Sequence, residues 1–400
     1  MAGEHTARRF RLPDIQDLSK DQERARLLPK TGKHLIVGGP GTGKSIIALL
    51  RSRRLHEPAA QAQDYVFLAY NRLLIAASRE LMNSQVAANT WIAWFKDAYH
   101  RTLQEPCPVR DGKQFLLDWH AIGEALERLP DEIDEPVPAY LIVDEGQDMP
   151  PAFYENLIEL GFEHFFVVAD QNQEITDDHS KIAQIADALM IKPEERIYLS
   201  ENYRNSIEVA RLAQCFCVDE QASPKPRLPE RRSSQVPLLV DYGGSGQPGF
   251  EAIITRVLRA ADRQPARLFG VITHNNNTRQ RWLNALRGTR VPLDHGQPRI
   301  ATFVSGQGQG DLRFGKGGIF VITWASAKGL EFDSVILADI NEYRCNPDAR
   351  EQVDELRRRF YVMISRARER VVILRRSDTP CPADAILPDD PNLLRLWSPQ

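Results

Sequence analysis

Short, continuous apolar runs that end in polar residues or glycine recur along the chain. They lie at His34–Gly38, Tyr65–Tyr70, Tyr140–Val143, Phe165–Ala169 and Arg196–Leu199, then at Leu268–Thr273, Ile319–Thr323, Ser334–Ala338 and Arg370–Leu374. Continuous rather than alternating apolarity is what a parallel strand covered on both faces requires. Stretches with helical spacing fall between them, among them Ile46–His56, Pro151–Leu160, Thr278–Leu286 and Val353–Ser365. Strand–helix alternation in two groups predicts an α/β protein with two doubly wound parallel sheets.

The stretch Ser223–Pro237 carries four prolines and little apolar content, the composition of an extended linker. It divides the chain into a first domain over residues 1–222, a linker over 223–237 and a second domain over 238–400. Residues 86–138 separate two strands of the first group by too much for a simple crossover, which predicts a small helical insertion carrying Trp91, Trp94 and Trp119. Gly243–Gly246 and Gly306–Gly318 read as loops. Pro380–Gln400 reads as a surface tail that Trp397 could anchor.

Composition narrows the classes. A chain of 400 residues has room for two or three domains, and 42% apolar with 26% charged residues is ordinary for a globular protein. The net charge of −3 excludes a strongly basic coat protein, but not one that grips nucleic acid in a local groove. Five scattered cysteines make neither a disulfide framework nor a zinc set, and Cys215 with Cys217 reads as a buried helical pair. No apolar run of about 18 residues occurs, so a cytoplasmic protein with no membrane partner is expected.

The strongest chemical signal is Gly38-Gly-Pro-Gly41-Thr42-Gly43-Lys44-Ser45, which follows an apolar strand and opens a helix. Its glycines let backbone N–H groups approach phosphate oxygens, with the helix N-terminus adding partial positive charge. Lys44 would reach the β- and γ-phosphates of ATP, and the Ser45 hydroxyl would hold Mg²⁺. The apolar Leu141-Ile-Val run delivers Asp144 and Glu145 at a strand's C-terminal end, where open α/β sheets place their sites. Asp144 would bind Mg²⁺ and Glu145 could polarise the attacking water.

At Asp144-Glu-Gly-Gln-Asp148 the chain resembles the UvrD/Rep-like superfamily 1 helicases, whose pattern is D-E-x-Q-D. Further motifs follow in the family's order. Leu18-Ser-Lys-Asp-Gln22 resembles the adenine-reading segment, with Gln22 as the reader. Tyr70-Asn71-Arg72 resembles the first strand-contacting motif, and Thr90 and Thr323 stand at other strand-contacting positions. Ala169-Asp-Gln-Asn-Gln173 resembles G-D-x-x-Q, whose second Gln senses the γ-phosphate. Leu199-Ser-Glu-Asn-Tyr203-Arg204 matches L-x-x-N-Y-R, implying that Tyr203 stacks on adenine and Arg204 touches the γ-phosphate. Lys328-Gly-Leu-Glu331-Phe matches K-G-L-E-F, whose Glu meets the ribose. Tyr361-Val-Met-Ile-Ser-Arg366-Ala is similar to Y-V-x-x-T-R-A, with Arg366 as the second arginine finger. The resemblance implies two RecA-like P-loop domains that hydrolyse ATP between them.

The strand-gripping positions depart from the family. Glu174–His179 replaces an aromatic stretch, Ile92 stands where a His is expected, and Ala325 replaces the His before K-G-L-E-F. Trp91, Trp94 and Trp324 are candidate replacement stacking surfaces, although core packing is the commoner fate of tryptophan. The interval from Asn205 to Thr323 leaves no room for the large accessory insertion. Two functions follow. The first is an ATP-dependent helicase or translocase on single-stranded DNA, 3′→5′ by resemblance, with RNA as the alternative track. The second is a nucleic-acid-stimulated ATPase subunit that activates a protein partner such as a nuclease.

Overall fold

A computed structural model of the chain describes residues 11–56, 64–82, 86–113, 116–128, 137–173, 179–218, 225–233, 235–244, 248–304 and 313–397. Parts of several sequence features therefore lie outside the described residues: the first ten residues, 174–178 of the departing segment, 223–224 and 234 of the proline-rich stretch, 245–246 and 306–312 of the glycine loops, and the last three residues. The chain divides into two units, an N-terminal one over 12–200 and a C-terminal one built from 201–220 and 225–400.

The N-terminal unit contains β1 (Lys33–Gly38), β2 (Tyr65–Ala69), β3 (Ala88–Thr90), β4 (Val137–Val143), β5 (Phe162–Ala169) and β6 (Ile197–Leu199). They form one all-parallel sheet in the order β3-β2-β4-β5-β1-β6. Helices α1 (Lys20–Leu27), α2 (Lys44–His56), α3 (Arg72–Leu81), α4 (Trp91–Leu103), α5 (Trp119–Leu126), α6 (Pro151–Glu159) and α7 (Ile182–Ala188) accompany it. Two apolar clusters lie on this sheet: alternate residues of β1 go to opposite ones, Leu35 and Val37 to one and Ile36 to the other.

The insertion predicted over 86–138 holds the edge strand β3 and helices α4 and α5. Its tryptophans are structural. Trp91 and Trp94 are 7% and 6% exposed, with Trp91 edge-on to Phe153 at 5.4 Å and Trp94 edge-on to Phe162 at 5.4 Å. Neither ring has a face left for a base.

The C-terminal unit contains β7 (Leu238–Tyr242), β8 (Leu268–Thr273), β9 (Ile300–Thr302), β10 (Gly318–Thr323), β11 (Phe332–Leu337), β12 (Ala367–Arg376) and β13 (Arg395–Trp397). Its sheet is also all-parallel, in the order β13-β7-β12-β11-β8-β10-β9. Helices α8 (Ile207–Gln214), α9 (Phe250–Arg263), α10 (Asn276–Gly288), α11 (Trp324–Ala327) and α12 (Arg350–Ser365) complete it. The two parallel α/β sheets are the fold class read from the sequence.

The boundary between the units differs from the one expected at 222. Helix α8 packs on α12 and β12 of the C-terminal unit, and Phe216 lies 5.5 Å from Phe360 between ring centroids. Residues 225–233 and 235–237 of the proline-rich stretch correspondingly belong to the C-terminal unit, as a strap on it. Pro226 O accepts from Gln214 Nε2 at 2.7 Å, Arg231 O accepts from Ile207 N at 2.8 Å, and the backbone at Arg227 forms a single parallel β-bridge with that at Glu201. Prolines keep it extended, while its carbonyls remain available as acceptors. Cys215 and Cys217 are half-buried at the C-terminal end of α8 rather than buried within it. Trp397 anchors the tail by adding β13 to the sheet edge, with Arg256 4.3 Å above its ring.

Candidate nucleotide-binding site

Strands β4, β5 and β1 are neighbours, so the loops after their C-terminal ends meet. They carry Asp144–Asp148, Asp170–Gln173 and the Gly38–Ser45 loop. Within the glycine-rich loop, Gly41 and Gly43 have φ of 78° and 87°, a region L side chains rarely enter. At Gly43 a Cβ would also lie 2.4 Å from Gln22 Nε2. Gln22 reaches this loop because it caps its own helix: Ser19 and Gln22 form a reciprocal capping box at the start of α1. Its amide nitrogen then donates to Thr42 O at 2.8 Å. Gln22, predicted to read adenine, thus lies against the P-loop.

Lys44 Nζ donates to Gly38 O at 2.6 Å and Gly39 O at 3.0 Å, and lies 3.7 Å from Asp170 Oδ2. Ser45 Oγ donates to Asp144 Oδ1 at 3.1 Å, so the two predicted metal ligands are in contact. Asp144 is fully buried, and its Oδ2 has no hydrogen-bond partner. Burial, and next the charge of Glu145, push its carboxyl pKa up, against smaller opposing effects of Ser45 and Lys44. A buried carboxylate oxygen without a donor, beside a hydroxyl and a lysine, is an arrangement that a divalent cation would satisfy. Among the described residues there is no cluster of three or more His, Cys, Asp or Glu side chains that could hold a metal. A cation here would therefore take the rest of its shell from phosphate and water.

Glu145 is buried and has φ 55°, ψ 46°, a left-handed backbone that a non-glycine residue adopts at a cost of about 1–3 kcal/mol. Its Oε2 accepts from Gln147 Nε2 at 2.9 Å, and Gln147 Oε1 accepts from Asp170 N at 2.9 Å. Asp170 Oδ2 in turn accepts from Gln173 Nε2 at 2.6 Å. One polar network therefore joins the predicted base, the predicted γ-phosphate sensor and the P-loop lysine. Gly146 lets this turn pack tightly: a Cβ there would meet Val167 Cγ1 at 2.4 Å and Tyr154 Oη at 2.8 Å. Tyr154 Oη donates to Gly146 O at 2.7 Å.

The remaining nucleotide-binding candidates stand in the C-terminal unit. Arg204 Nε donates to Glu331 Oε1 at 2.7 Å. Arg366 is 1% exposed at the end of α12, with Nε donating to Val362 O at 3.0 Å. Tyr203 is 46% exposed and bonds Glu201. The strand-contact candidates hold mixed roles. Asn71 Oδ1 caps α3 by accepting from Leu74 N at 2.9 Å, Arg72 is exposed, and Tyr70 packs half-buried on the core. Thr90 and Thr323 stand at the N-termini of α4 and α11 without a side-chain cap bond. Trp324, unlike Trp91 and Trp94, is half-buried, with Arg359 4.6 Å from its ring centroid.

Residues outside the candidate set that join the predicted ones include Gln147, Asp170, Asn202 and Asn205. The first three stand in recognisable motifs. Asn205 had no signal in the sequence.

Residues 299–377 match the family described as UvrD-like helicase C-terminal domain, and residues 22–177 match the family described as AAA domain. No curated protein matches the chain. Among solved structures, the C-terminal domain of a possible DNA helicase from Lactobacillus plantarum WCFS1 is similar at 20% identity and a TM-score of 0.33, covering 48% of this chain and 97% of that one. No helix among the described residues is long and apolar enough to cross a membrane.

Proposed function

We propose, from a chain whose residues 299–377 match a UvrD-like helicase C-terminal domain and whose residues 22–177 match an AAA domain, an ATP-hydrolysing motor that moves along single-stranded DNA. The observation that carries the reading is the contact between Ser45 and a fully buried Asp144 whose second oxygen lacks a donor, beside Lys44 and Glu145. These residues fit Mg²⁺·ATP. Ser45 and Asp144 would hold the ion, which neutralises phosphate charge when bound. Lys44 exchanges its loop carbonyls for phosphate oxygens. Glu145, held by Gln147, accepts a proton from the attacking water, and Gln173 reports the γ-phosphate through Asp170 to the same network.

Arg204 and Arg366 bring further positive charge to the γ-phosphate in the hydrolytic state, Glu331 takes the ribose, and Tyr203 stacks on adenine. Phosphoryl transfer needs positioning and charge neutralisation more than covalent chemistry, so arginines that engage only in one state couple hydrolysis to motion. The track is gripped by Arg72, Thr90 and Thr323, with Trp324 as the remaining aromatic surface. Movement is 3′→5′. Trp91 and Trp94 are excluded as stacking platforms by their burial, which favours a second reading: a weakly gripping ATPase that activates a partner such as a nuclease.

Steady-state ATP hydrolysis by the purified chain tests the proposal, alone and with single-stranded DNA, duplex DNA or single-stranded RNA, with Lys44→Ala as the blank. Stimulation by single-stranded DNA above the other polymers is expected. Turnover that ignores every polymer but is lost with Lys44→Ala would contradict a free-standing motor and favour the partner-activated ATPase.

A further inference from the structure

Arg204 and Arg366 reach the C-terminal unit from chain segments far apart in sequence, yet a γ-phosphate needs both in one geometry. We infer that Asn205 is a positioning residue that locks the two arginine-bearing segments into a single platform, an inference that rests on the hydrolytic reading above.

Helix α12 ends at Ser365, and the last carbonyls of a helix have no partner within it. Asn205 is 1% exposed and its Nδ2 donates to Ser365 O at 3.0 Å and also to Ala367 O. Those two carbonyls flank Arg366. Asn205 Oδ1 accepts from Asn202 Nδ2 at 2.8 Å. Asn202 Oδ1 in turn accepts from the backbone N–H of Arg204 at 3.0 Å and of Asn205 at 3.1 Å. An unbroken chain of hydrogen bonds therefore runs from the backbone of Arg204 to both sides of Arg366.

Only a carboxamide suits the place. It supplies two donors to two carbonyls and an acceptor to a neighbouring amide, whereas a carboxylate would set negative charge against those carbonyls. The proline-rich strap reinforces the same platform. Arg231 donates from one nitrogen to Arg204 O at 2.7 Å and to Arg368 O, and Ser206 N donates to Arg368 O at 2.7 Å. A misplacement of about 1 Å far from the reacting atoms can cost on the order of 10²-fold in rate. Asn205 is placed to prevent one.

The test is a mutant cycle read by steady-state ATP hydrolysis. Asn205→Ala in the otherwise native chain is expected to lower kcat about ten- to hundred-fold with KM for ATP changed less than about two-fold. In an Arg204→Ala, Arg366→Ala parent the same substitution is expected to change the residual rate less than about two-fold, because nothing remains to be positioned. An equal loss in both backgrounds, or no loss in the native chain, overturns the inference. A parent that hydrolyses at the native rate overturns the hydrolytic reading, and the inference with it. If Asn205→Ala fails to fold, Asn205→Ser, which keeps one donor, takes its place in the cycle. If turnover is too slow to compare, hydrogen exchange decides: faster exchange at both 204–206 and 366–368 in the variant supports the inference, and unchanged protection at 366–368 overturns it.

Discussion

The hydrogen-bond networks around the charged groups of the two units differ in what they join. In the N-terminal unit, side chain meets side chain: Ser45 with Asp144, Gln147 with Glu145, Gln173 with Asp170, all on loops at the ends of neighbouring strands. In the C-terminal unit Arg204 also pairs with the Glu331 carboxylate, but the backbone beside both arginines is held by side chains: Asn205 binds Ser365 O and Ala367 O, and Arg231 binds Arg204 O and Arg368 O. The first arrangement fixes functional atoms directly and leaves a buried carboxylate oxygen free for a ligand. The second fixes the backbone and leaves two long arginine side chains to change partners. A site that binds and a site that responds call for these two kinds of support.

Glu145→Gln is the largest expected disruption of the first region. It should leave ATP affinity near normal and lower hydrolysis about 10³-fold, measured by single-turnover kinetics. Asp144→Asn should abolish Mg²⁺-dependent stabilisation by ATP while stabilising the nucleotide-free protein. Because the Asp144 pKa is raised in the fold, the folded state binds its proton more tightly than the unfolded chain, so stability declines as pH rises through the folded pKa. The gain in Tm from Asp144→Asn should therefore be greater at pH 8 than at pH 5. A gain that shrinks with rising pH would contradict the burial argument.

Gly146→Ala probes how tightly the carboxylate turn is packed. Its methyl group would meet Val167 and Tyr154, so a loss of about 1–3 kcal/mol is expected in denaturant titration. The smallest effect belongs to the tryptophans. Trp324→Leu should weaken single-stranded DNA binding by about 1 kcal/mol, as one lost stacking surface would. Trp94→Phe should lower stability and leave that affinity unchanged. The reverse pattern would move the stacking surface into the insertion.

The match between sequence and structure follows the same division. All nine apolar runs fall on strands, because a strand covered on both faces is apolar throughout. The strands outside those runs are β7 and the three-residue edges β3, β9 and β13. The P-loop and carboxylate loop were legible because their chemistry fixes residue types at fixed spacing. Asn205 was not, since its partners are carbonyls that any residue supplies. The boundary at 222 misled for a related reason: proline marks an extended chain, but only hydrogen bonds show which sheet that chain serves.

The measurement that tests the central claim most directly is single-turnover hydrolysis of pre-bound Mg²⁺·ATP by Arg366→Ala protein, alongside ATP affinity by equilibrium titration. The account predicts near-native affinity, because Arg366 engages the γ-phosphate only in the hydrolytic state, with cleavage slowed by at least about 10²-fold. Native cleavage with affinity lost would contradict it, for then the arginine would belong to binding and the division between the two units would fail.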